Sequence, residues 1–88
     1  MTYRLRHSGD LIIDETDNPI TASRRAKAEV RQTGRSVFVH YGRDCRMYFM
    51  TAGRLCVGIG HAKGLAMEVE ESACDFTEEE AEAWMCGL

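Results

Sequence analysis

A chain of 88 residues, 44% hydrophobic and 28% charged, suits one small soluble domain and excludes both global disorder and a second core. It buries only about 60–65% of its unfolded surface on folding, which leaves little room for a pocket that excludes water. The net charge of −3 hides a division: residues 1–63 hold all 11 Lys and Arg against six acids (+5), whereas residues 64–88 hold eight acids and no base (−8).

In chain order, "TYRLRHSGDLIID" reads as a β-hairpin, because Ser8-Gly9 is a turn pair between β-rich flanks. "ETDNPI" is a polar break holding the only proline, Pro19. The spacing then predicts a helix over 21–33, with Thr21 as N-cap and Gly34 as C-cap. Its narrow apolar stripe, Ala22, Ala26 and Val30, lets it lie close to a sheet. Arg24, Arg25, Lys27 and Arg31 fill the rest of this helix, either as a solvated face or as a contact for phosphate or an acidic partner.

"SVFVHYGRDCRMYFMTAGRLCVGIG", residues 36–60, reads as three strands and two turns. Three-residue loops at Gly42-Arg43-Asp44 and Thr51-Ala52-Gly53 pair Val39 with Met47 and Met47 with Val57. That register gathers Val37, Val39, Tyr41, Cys45, Met47, Phe49, Leu55, Val57 and Ile59 on one face, and a one-residue slip in either turn would mix the rows. The opposite face then carries Phe38, Tyr48 and Cys56 in one row, with His40 and Arg46 in the next and Arg54 near the turn. Aromatic rings flanked by arginines suit stacked bases and phosphates, although such pairs also stabilise a sheet by packing alone.

"GLAMEVEES" alternates as one more half-buried strand. A second helix is expected over 77–86, opened by a capping box of Thr77 and Glu80. The whole pattern predicts an α+β fold, a mainly antiparallel sheet in the order β-β-α-β-β-β-β-α. Glu78, Glu79 and Glu80 suit the first turn of that helix, but the block of eight acids exceeds what one cap requires.

Chemistry-bearing motifs are absent from the sequence. The gaps of 11, 18 and 12 residues between Cys45, Cys56, Cys74 and Cys86 match no metal knuckle. The start "MTYRLRHSGD" has no apolar leader core, and no run approaches the roughly 18 apolar residues of a membrane span. A soluble, intracellular protein with reduced thiols, no metal and no cofactor is therefore expected. "GIGH" lacks the third glycine of a dinucleotide site, and no Walker loop, H-E-x-x-H or G-x-S-x-G occurs, so no enzyme is expected.

In size and charge pattern, as a solitary α+β domain with an acidic segment and no catalytic signature, the chain resembles the short phage-encoded inhibitors, anti-CRISPR proteins among them. The resemblance implies binding to a larger protein or ribonucleoprotein, in some members through acidic surfaces that imitate nucleic acid. It transfers no site residue. The charge pattern nominates Glu68, Glu70, Glu71, Asp75, Glu79 and Glu82 to meet a basic partner surface. The alternative is a nucleic-acid-binding domain using Arg24, Arg25, Lys27, Arg31, Phe38, Arg46, Tyr48 and Arg54.

Overall fold

A computed structural model describes residues 2–7, 11–42, 44–51, 53–63, 66–74, 77, 79, 80, 82 and 83, with residues 44, 51, 61–63 and 66–73 described through their backbone. Its elements are β1 (Tyr3–His7), β2 (Ile12–Thr16), α1 (Pro19–Thr33), β3 (Val37–Tyr41), β4 (Asp44–Thr51), β5 (Arg54–Lys63) and β6 (Ala66–Cys74). Six strands form one antiparallel sheet in the order β2-β1-β3-β4-β5-β6. The return through α1 places β3 beside β1 and leaves β2 and β6 at the edges.

The helix lies on one face, and the expected stripe does the packing. Ala22, Ala26 and Val30 are fully buried against Tyr3, Leu5, Val37, Val39, Tyr48 and Val57. Small side chains let the helix axis approach the strands, so β-branched residues below fill the gap. The helix starts two residues earlier than expected. Asn18, not Thr21, is the N-cap: its Oδ1 accepts from the backbone N–H groups of Ile20 (2.9 Å) and Thr21 (3.1 Å). Pro19 occupies the first turn, where its missing N–H costs nothing. Gly34 ends the helix as expected, in the left-handed region (φ 70°), and its N–H donates to the Val30 carbonyl at 2.8 Å.

The register of β4 differs from the expected one. Both turns are one residue shorter: Tyr41 pairs with Asp44, and Thr51 pairs with Arg54. Gly42 (φ 63°) and Gly53 (φ 76°) supply the positive φ that two-residue hairpin turns require. Each shortening shifts the register by one; together they displace β5 by two residues against β3, which keeps the facing of both strands but leaves β4 inverted. Tyr48 now pairs with Val37 and Val57 on the helix side, whereas Cys45, Met47 and Phe49 join Phe38 in a second cluster on the other face. β4 tolerates inversion because its even row, though it includes Asp44 and Arg46, also supplies Tyr48 and Met50 to the helix side. Tyr48 compensates for its hydroxyl by a 2.6 Å hydrogen bond with Ser23 of α1, both residues being buried.

Two further expectations are revised or bounded. Cys56 and Cys74 are register partners on β5 and β6 and form a disulfide, which corrects the expectation of reduced thiols throughout. Strand pairing, not sequence spacing, brings these two together. Cys45 is a free, buried thiol, and Cys86 lies outside the described residues. Of the helix expected over 77–86, Glu79, Glu80, Glu82 and Ala83 are helical, and the remainder apart from Thr77 lies outside the described residues. Thr77 Oγ1 accepts from the Glu80 N–H at 3.1 Å and donates to the Glu80 carboxylate at 3.1 Å, a variant of the expected capping box. α1 is thus the one complete helix described. No described helix is long and apolar enough to cross a membrane.

Candidate functional site

The acidic residues nominated from sequence fall into three groups. Glu68, Glu70 and Glu71 lie on β6, an edge strand. The register passes from Ile59–Glu71 to Gly60–Val69, which leaves Glu70 as the extra residue of a β-bulge. Glu79 is exposed at the following helical turn, and Asp75 lies outside the described residues. Glu82 stands apart from this group: it is mostly buried and its carboxylate accepts from Arg24 Nε of α1. This contact joins Glu82 to α1.

The basic and aromatic set does not assemble. Phe38 and Tyr48 were expected in one row but lie on opposite faces, both buried. The inverted register also moves Arg46 to the helix side, opposite Val39. On α1, Lys27 is buried and Arg24 engages Glu82. Arg25 engages Asp14 of β2 (3.1 Å) and Glu29 one turn on (3.6 Å). Arg31 and Arg54 are exposed but belong to separate elements. No stacking platform with flanking arginines results. Asp14, Glu15 and Glu29, which meet Arg25 and Arg4, are already counted in the +5 of residues 1–63; Glu82, held by Arg24, is the acid from the C-terminal third that offsets part of that surplus among the described ion pairs.

A different cluster, missed in the sequence, sits on the face away from α1. β1 and β3 pair Arg4 with His40 and Arg6 with Phe38. The Arg6 guanidinium carbon stands 5.1 Å from the Phe38 ring centroid, a cation–π contact. Arg6 Nε donates to His40 Nε2 at 2.8 Å, and Nη1 donates to the His7 carbonyl at 3.3 Å. Cys45 Sγ lies 3.7 Å from the same His40 nitrogen. The signal available was the alternation Arg4-Leu5-Arg6, but its partner strand was not legible without the crossover through α1.

A cysteine beside a histidine invites a nucleophile assignment, and the electrostatics oppose it. Burial pushes the Cys45 thiol up to about 12, with Arg6 opposing only in part. Burial first, then Arg6 and Arg4, hold His40 below its ordinary value. Both groups are thus neutral at pH 7, whereas a reactive cysteine needs a stabilised thiolate. Because Arg6 donates to Nε2, the neutral imidazole carries its proton on Nδ1. Next to this pair, Thr2, Arg4, His40 and Gly42 line an open cleft of about 390 Å³.

Among the described residues, no group of three or more His, Cys, Asp and Glu is placed to hold a metal ion. Comparison with protein families, with curated proteins and with solved structures finds no match to this chain.

Proposed function

We propose that this chain is a non-enzymatic protein-binding module, an inhibitor in kind, that docks an acidic surface on a basic surface of a larger, nucleic-acid-handling protein or ribonucleoprotein. One observation carries the proposal: the acids of residues 64–88 include three on an edge strand, Glu68, Glu70 and Glu71, whereas Arg24 and Arg25 of the basic half face carboxylates inside the fold. Charges on an edge strand also discourage further strand addition. The docking mode is therefore electrostatic, with carboxylates competing for sites that otherwise take phosphate. Glu82 contributes to the fold through Arg24 and is set aside from the docking surface.

The test is charge reversal that leaves Glu82 intact. A Glu68→Lys, Glu71→Lys, Glu79→Lys triple variant keeps its circular dichroism spectrum, and it fails to retain the partner that the wild-type chain captures from nuclease-treated extract. Retention of the same partner at wild-type affinity by the folded variant refutes acidic docking. If wild-type chain instead binds oligonucleotides with an affinity that falls steeply with salt, the nucleic-acid alternative takes its place.

A further inference from the structure

The cleft lined by Thr2, Arg4, His40 and Gly42 combines a shaped space with positive charge that the fold compensates only in part. Arg6 is half-buried, and its contacts are the His40 ring nitrogen, the His7 carbonyl and the Phe38 face. Among the described residues no carboxylate lies within ion-pair distance of it. Arg4 meets Glu15 through Nε at 3.4 Å, with both side chains more than half exposed, so this ion pair is open to solvent and weak. A guanidinium carries a fork of N–H donors that suits an oxyanion.

The third group is His40. Its Nε2 is occupied by Arg6, so Nδ1–H is a donor with no acceptor among the described residues. Thr2 contributes a wall and no donor, because its hydroxyl donates to Asp17 Oδ1 at 3.0 Å. Among the described residues, Glu15 is the carboxylate that pairs with either arginine, while Asp17 reaches the cleft wall through the Thr2 hydroxyl. A bound anion would supply the missing charge and an acceptor together.

We propose that this cleft binds a phosphoryl group, presented as inorganic phosphate or as a small phosphate monoester, through the Arg4 guanidinium and His40 Nδ1–H in the field of Arg6. The site is separate from the acidic β6 edge, and it stands or falls independently of docking there. Among the described residues, the charged and titratable groups facing His40 are Arg4 and Arg6 from β1 and Cys45 from β4. Because both arginines hold its pKa down, a phosphate dianion seated between them moves that pKa upward.

Titration of isotopically labelled protein with inorganic phosphate and with glycerol 3-phosphate, at ionic strength fixed with sodium chloride, tests the proposal. One guanidinium–phosphate contact and one hydrogen bond from neutral His40 at a partly exposed site, each about 2 kcal/mol, correspond to a dissociation constant near ~1 mM. The Gly42 amide and His40 ring resonances shift saturably, and the His40 titration moves to higher pH. Arg4→Ala weakens binding by at least about tenfold, the lower end for one lost charge-assisted hydrogen bond. Glu15→Gln strengthens it, because the competing carboxylate is gone, and impaired folding would not produce that gain. Equal affinity for both ligands marks free phosphate as sufficient, and tighter binding of the ester marks a monoester ligand; both support the site. Shifts reproduced by chloride alone, no saturation at tens of millimolar (well above ~1 mM), or an unchanged affinity in Arg4→Ala overturns it.

Discussion

Removing one oxygen atom, by Tyr48→Phe, tests the inverted register of β4 directly. Tyr48 is fully buried and its hydroxyl shares a 2.6 Å hydrogen bond with Ser23, which is itself 2% exposed. Deleting one partner leaves the other desolvated with that bond unmade, at a cost of about 1–2 kcal/mol. For a domain this small, that lowers the melting temperature by roughly 4–8 °C per kcal/mol. Ser23→Ala alone costs a similar amount. The double variant is less destabilised than the sum, because neither hydroxyl then remains to be satisfied, and the coupling energy is about 1 kcal/mol. Urea denaturation of the four proteins, followed by circular dichroism, measures the cycle. With three-residue turns, Tyr48 would face away from α1, its change would stay within about 0.5 kcal/mol, and the two substitutions would be additive. Coupling below about 0.3 kcal/mol therefore refutes the placement of Tyr48 under the helix.

Three other outcomes follow from the same structure. The Cys45 thiol has an ordinary value of 9.0 and a folded one of about 12, so between these the folded state keeps a proton that the unfolded chain releases. Stability is then lost as pH rises from 9 toward 12, at up to about 1.4 kcal/mol per pH unit; a wild-type minus Cys45→Ala difference that stays flat over this range contradicts the burial. Replacing Cys56 and Cys74 together by Ser removes a crosslink of sequence separation 18 and costs about 3 kcal/mol in the chain-entropy account. Alkylation of all four cysteines in unfolded, unreduced protein, read by mass spectrometry, would show that the bridge does not form. Asn18→Ala costs about 1 kcal/mol and Thr21→Ala much less. A thermal melt in which Thr21→Ala is the more damaging change would restore Thr21 as the cap.

Local features of this chain were settled by sequence alone. The Ala22-Ala26-Val30 stripe, the Gly34 stop and the number and order of the strands depend on periodicity and turn chemistry within a few residues. Such signals survive without knowledge of what packs where. The acidic division of the chain was equally legible, since charge is counted and needs no geometry.

What only the tertiary structure decided is how these pieces meet. β4 reads DCRMYFMT, with apolar residues at both parities (Cys45, Met47 and Phe49 against Tyr48 and Met50), so its side-chain pattern favoured one face without excluding the other. The choice fell to two glycine turns of two residues each and to a serine on α1 placed to receive the Tyr48 hydroxyl. The same inversion separated Phe38 from Tyr48 and dissolved the aromatic platform. Cys56 met Cys74 because β5 and β6 pair in that register, and Arg4 met His40 because the crossover through α1 laid β3 against β1. Each of these contacts joins residues at least 18 apart. Sequence spacing carries no information about such meetings; the backbone hydrogen bonds that align the strands, and the apolar surface they bury together, decide them.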